Sequence, residues 1–220
     1  MITGLRVGWR GLRHFFGQGW TYIWANVLWI ALSLPIVTAP AAWAGMSRFS
    51  YHALRQPTTN FAEFWAGFRA HWRGGIVLSL VTLALVLVTL VNLLGFSREG
   101  GIVAAVLRIL WILIVLGWFG VQLYAGPLLP AMKQPAWKGA LRNAGVMFLR
   151  HPFFTLGLWL FCAPFIVLSF VLPAAWLLIT GGLLAAIGNV AVQDRLRADG
   201  IEKAPLPEPE AGEPHWDGVS

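Results

Sequence analysis

Side chains able to do chemistry are sparse in this chain and poorly spaced for it. The five His are scattered, with no His-x-x-x-His pair, and Cys162 is the single Cys. No metal-ligand set is expected from such spacing. No acid falls inside a long apolar run, which removes the carboxylate that a proton relay or an aspartyl protease would need. No Gly-rich phosphate loop follows a strand pattern. The expectation is therefore no catalytic residue, no metal and no cofactor. What remains is a handful of polar groups in apolar surroundings, where each needs a reason. Thr38 lies between Pro35 and Pro40. Carbonyls freed by the prolines can be satisfied by its hydroxyl, or can line a small polar cavity. Asn26, Asn92 and Asn189 are placed to hydrogen-bond between helices. Arg108 either marks an ion or substrate site or snorkels from the start of an apolar run beginning at Ile109.

The elements that must position these groups are read from composition. The chain has 220 residues, 58% hydrophobic and 11% charged, with a mean hydropathy of +0.68. A soluble domain carries about a quarter charged residues. Thirteen Trp and fourteen Phe exceed what a soluble core of 24.2 kDa needs. A disordered chain, a soluble enzyme and a disulfide-framed secreted domain are excluded; an integral membrane protein remains. A spanning helix needs about 20 mostly apolar residues. Charge-free runs occupy residues 20–44, 75–96, 109–132 and 152–193. The last is too long for one crossing and turns at Pro173, giving segments of about 152–172 and 174–193. Without period-two alternation all five must be helical. The fold class is an all-α polytopic membrane bundle of five hydrophobic segments with interfacial amphipathic helices. Residues 1–19 form an amphipathic N-terminal helix, 20–193 the membrane domain, and 194–220 an acidic, Pro/Glu-rich disordered tail. The first run has three readings: a full crossing, a re-entrant segment broken at Pro35 and Pro40, or a cleavable signal. The interruption at Pro35 argues against the signal.

Between the runs, Phe61, Phe64, Trp65, Phe68 and Trp72 recur at helical spacing on one stripe, with Arg69 and Arg73 off it. Asn60 and Glu63 read as a capping box. Aromatics on one face and Arg on the flank describe a helix in the headgroup plane, or one packed on the bundle. Residues 133–150 repeat the theme, with Trp137, Leu141, Ala144 and Phe148 on one face. At the N-terminus Ile2, Leu5, Trp9, Leu12 and Phe16 form a stripe edged by Arg6, Arg10 and Arg13. Three such helices favour the lipid bilayer and its anionic headgroups as partner. The net charge of +7 divides into −4 from Asp194 onward and +11 before it. The positive charge lies at the ends of apolar runs, as orientation signals do, which argues against nucleic acid. A multi-pass membrane location with the C-terminus in the cytoplasm follows from the basic loops. A full first crossing leaves the N-terminal Arg on the wrong side, whereas a re-entrant one puts every large basic cluster inside.

Asn26-Val-Leu-Trp29, then Leu34-Pro35-Ile-Val37-Thr38, then Pro40 and Ala44 resemble the signature of the YesL-like family of small bacterial membrane proteins with no established function. Residues 61–73 and Arg150-His151-Pro152-Phe-Phe-Thr155 are similar to later parts of that family. Ala39 departs from a usual glycine, and the tail from Gly200 looks like an addition. The resemblance implies association with carbohydrate uptake, since members are often encoded beside carbohydrate importers, and hence a membrane transporter complex as partner. Asn26, Trp29, Pro35, Thr38, Pro40 and Arg108 are the candidate binding residues. An echo of Asn26-Val-Leu-Trp-Ile in Arg108-Ile-Leu-Trp-Ile suits a two-fold repeat, which favours the alternative of a small transporter or channel acting through Pro35 and Thr38.

Overall fold

Where the first apolar run should cross, the chain doubles back. The computed structural model describes residues 1–56, 59–95 and 101–201, which are 88% helical and contain no strand. In the first run, α2 (Trp20–Ser33) and α3 (Ala39–Ala53) have 14 and 15 residues, or roughly 21 Å each, short of the ~30 Å apolar thickness. They are antiparallel. The Tyr22 hydroxyl meets the Ser50 hydroxyl at 2.9 Å, the Tyr22 ring lies edge-on to Phe49, and Trp29 faces Trp43. The hairpin tip is tight: the Val37 N–H donates to the Pro35 carbonyl across Ile36, whose φ is +63°. A β-branched residue rarely adopts that conformation. The re-entrant alternative is therefore the one the geometry supports.

Four helices are long and apolar enough to cross a membrane: α4 (Phe61–Gly95), α5 (Ile102–Ala131), α7 (Pro152–Val171) and α8 (Pro173–Ala198). α6 (Trp137–Arg150) joins α5 to α7, and α1 (Ile2–Gln18) precedes the hairpin. The turn at Pro173 is where the proline predicts it. Two boundaries differ from expectation. Residues 61–73 are not a separate interfacial helix but the first turns of α4, because nothing in Trp72-Arg73-Gly74-Gly75 breaks the helix. The third segment starts at Ile102 rather than 109, so Arg108 lies within α5. The Leu-Trp-Ile echo is not a structural repeat either, since one copy leads into a hairpin and the other lies inside a long helix.

Small residues set the packing. On α4, a Cβ added to Gly67 would lie 2.9 Å from the Ala44 carbonyl oxygen and 2.9 Å from the Gly45 Cα, so α3 and α4 touch backbone to backbone. α8 is the central staff, with Leu183, Ala185, Ala186, Ile187 and Ala191 fully buried beneath α1, α3 and α5. α1 docks through Gly4, Gly8 and Gly11. Cβ atoms there would collide with the Phe154 carbonyl, the Phe161 ring and the Ile187 backbone. Ile2, Trp9 and Phe16 of the expected α1 stripe thus point away from the protein, while Leu5 is half-buried and Leu12 packs against the core.

With a hairpin and four crossings, α1 and the C-terminal end of α8 fall at one end of the bundle. Ion pairs gather there: Arg10 with Asp194, Arg48 with Glu63, and Arg150 with Asp199, whose carboxylate also lies 3.6 Å from the His151 ring. In a Cys162→Ala background, single cysteines at Gly17, Gln134 and Gly200 should all resist an impermeant thiol reagent in intact cells. A cysteine at Ile102 should label. Labelling at Gly17 with protection at Gln134 would restore a full first crossing.

Candidate functional site

The α2 arm of the hairpin is tied to α8 by one polar side chain. α8 contains a π-helical turn at Trp176–Thr180, which displaces the backbone ladder and leaves groups needing partners. Asn26, fully buried on α2, supplies them. Its Nδ2 donates to the Trp176 carbonyl at 2.9 Å and the Leu177 carbonyl at 2.6 Å, and its Oδ1 accepts the Gly182 N–H at 2.9 Å. A Cβ at Gly181 would lie 2.7 Å from that Oδ1 and 2.4 Å from the Trp29 ring. Only glycine admits α2 this closely. Trp29 completes the contact, between Trp43 and Trp176.

Beyond Asn26 the tip satisfies itself with hydroxyls. Thr38 Oγ1 donates to the Leu32 carbonyl, Ser33 Oγ to the Trp29 carbonyl at 2.7 Å, and Ser79 Oγ, on α4, to the Ile36 carbonyl at 2.9 Å. Pro35 opens the turn, and Pro40 occupies the first turn of α3, where its missing donor is harmless. Asn26, Trp29, Pro35, Thr38 and Pro40 thus belong to one hairpin and its clamp. Arg108 stands apart, its Nε donating to the Ala104 carbonyl one turn back on α5. Asn189 bridges helices, donating to the Ser47 and Ala185 carbonyls at 3.0 and 2.9 Å, whereas Asn92 bonds only its own helix.

A second cluster lies at the basic end, and sequence periodicity does not disclose it. Glu63 Oε2 accepts from Arg48 Nε at 2.8 Å and lies 3.3 Å from His52 Nε2. Arg48, Tyr51, His52 and His71 line a cleft of about 260 Å³, closed by Leu129, Pro130 and Met132 of the α5 terminus. His71 Nδ1 lies 3.0 Å from the Gly67 carbonyl, which can only accept, so Nδ1 carries a proton. The available signal was Glu63, one of only two acids before Asp194. Half of the expected capping box forms: Asn60 Oδ1 takes the Ala62 N–H, while Glu63 turns to α3 instead.

The aromatic stripe divides. Phe64 is fully buried against Gly45, so it makes no membrane-surface contact, contrary to expectation. The α3 backbone approaches too closely to leave room for lipid there. Phe61 stacks on Phe49 and Phe68 packs against the core. Trp65 and Trp72 remain 37% and 45% exposed, with the Arg69 and Arg73 guanidinium groups over their rings.

Residues 22–93 match a family described as a protein of unknown function, DUF624. The matched stretch, about a third of the chain, holds the hairpin, the Glu63 cluster and most of α4. No curated protein and no solved structure matches the chain.

Replacing Asn26 by Leu strands three buried backbone groups, at about 1 kcal/mol each. Asn26→Leu should therefore lower stability in detergent by ~3 kcal/mol in a denaturant titration, and Thr38→Val by ~1 kcal/mol. Outside the spans, burial pushes the His14 imidazole of α1 down to about 4. Below about pH 6.5 the unfolded chain takes a proton that the folded chain refuses. Stability should be full above that pH, decline towards pH 4 by roughly 3 kcal/mol, and then level off. His14→Phe should flatten this slope in thermal melts.

Proposed function

We propose that this protein is a non-catalytic accessory component of a bacterial plasma-membrane assembly, acting beside a transporter rather than as one, with its basic end in the cytoplasm. The observation that carries the reading is the contrast between polar groups bonded helix to helix inside and aliphatic faces left bare outside. Inside, Asn26, Tyr22, Ser50, Tyr124 and Thr155 spend their polar atoms on helix-to-helix bonds. Outside, α4 and α5 carry aliphatic faces that nothing in the described chain covers, among them Leu83, Leu87, Val91, Ile102, Val106, Ile109 and Leu113. Contiguous faces of that kind suit lateral contact with lipid or another membrane helix. The link to carbohydrate uptake rests on the YesL-like resemblance of the residues around Asn26 and Pro35.

Transport is the second reading, and a specific observation favours it. Ser47 Oγ, Asn189 Oδ1 and both amide atoms of Gln193 are buried without a hydrogen-bond partner. Moving a polar solute through ~30 Å of hydrocarbon requires polar groups along the way, and Ser47 and Asn189 lie within the bundle while Gln193 adjoins Asp194 at the basic end. Purified protein in liposomes should take up no common mono- or oligosaccharide above empty vesicles. A photo-activatable residue at Leu87 or Leu113 should give a discrete protein adduct in native membranes. Sugar uptake abolished by Gln193→Leu or Thr38→Val would put transport first.

A further inference from the structure

α1 has three sides. At about 100° per residue the glycines, the apolar stripe and Arg6, Arg10 and Arg13 point in three different directions. The Gly side is on α7 and α8; on the apolar side Ile2, Trp9 and Phe16 are exposed while Leu12 packs against the core, and the three Arg are exposed. Between the last two sides runs a cleft of about 520 Å³ lined by Leu5, Arg6, Trp9, Arg10 and Phe161. Leu5, Trp9 and Phe161 make an apolar floor, and Arg6 and Arg10, one turn apart, stand at its rim. Asp194 lies 3.5 Å from Arg10 but 2.5 Å from Arg195, so one carboxylate is shared by two guanidinium groups. Arg6 has no ion pair among the described residues. The rim is left with excess positive charge above an acyl-sized groove.

We propose that this cleft seats one anionic diacyl phospholipid, with a chain along Leu5, Trp9 and Phe161 and the phosphate between Arg6 and Arg10. Guanidinium forks suit phosphate oxygens bidentately. A zwitterionic lipid fills the groove equally well but adds a cation beside two others. Because α1 touches both α7 and α8, the lipid would join the N-terminal helix to the bundle. This inference stands whether the protein assists a transporter or is one.

The test is a titration of the full chain, in mild detergent, with phosphatidylglycerol and with phosphatidylcholine of the same chains, read by native mass spectrometry. The wild type should retain one phosphatidylglycerol at least tenfold more tightly than phosphatidylcholine. Arg6→Gln with Arg10→Gln should lose at least tenfold, and Arg69→Gln with Arg73→Gln, on the other basic helix, should lose nothing. Since Arg10 contacts Asp194, Arg6→Gln alone and Trp9→Ser are measured in parallel, each with an expected loss of a few-fold and unchanged helicity. Soluble glycerophosphate should not compete. Equal retention of the two lipids, equal losses in the two double variants, or two chains per lipid-free particle in place of lipid would overturn the proposal.

Discussion

A backbone polar group that leaves its helix inside an apolar bundle must find another partner, and this structure turns on the places where that happens. The π-turn at Trp176–Thr180 and the tip around Ile36 are two such places, and Asn26 links them. Its amide closes the π-turn with both donor and acceptor. That bond fixes where the α2–α3 hairpin sits on α8, and α8 in turn carries α1, α3 and α5. The positive φ of Ile36 is tolerated because the hydroxyls of Thr38 and Ser79 take the carbonyls around it.

The same economy explains the asymmetry of the molecule. Helices in lipid gain little from burying apolar surface, so they associate by close approach of small residues and by polar bonds. Here both devices gather in the basic half: Gly4, Gly8, Gly11, Gly67, Asn189 and the Glu63 cluster, with Asn26 reaching the π-turn beyond it. Beyond the Thr82 hydroxyl, which accepts from Trp118 and Gln122 of α5, the outer ends of α4 and α5 carry exposed aliphatic side chains and are left to lipid or to a partner. One end is organised for holding together and for meeting headgroups, the other for lateral contact.

Much of this is legible in the residues alone. Charge-free length locates the spans, and Pro173 places the last turn, because both follow from what a bilayer tolerates. The asparagines between helices follow from the cost of an unpaired amide, although their partners do not. Three features stay hidden for physical reasons. The continuity of α4 through Gly74 and Gly75 depends on tertiary support, which overrides their poor helix propensity. The docking face of α1 is a glycine stripe, invisible to a search for hydrophobic periodicity. The Glu63–Arg48–His52 cluster joins two helices across a turn, and spacing within one helix cannot show it. Proline identifies the break at Pro35 and Pro40, but only the Tyr22–Ser50 and Trp29–Trp43 contacts decide that the chain reverses there.

That reversal is the central claim, because the placement of α1 and of every basic cluster depends on it. Spin labels at Trp20 and Gln56, at the two open ends of the hairpin, measure it by their separation in reconstituted protein. Antiparallel helices hold the labels within about 20 Å of each other. A single helix through the first run, rising 1.5 Å per residue, separates them by about 35 Å or more. A distance distribution centred below about 20 Å is the predicted result, and one beyond 35 Å would contradict the account.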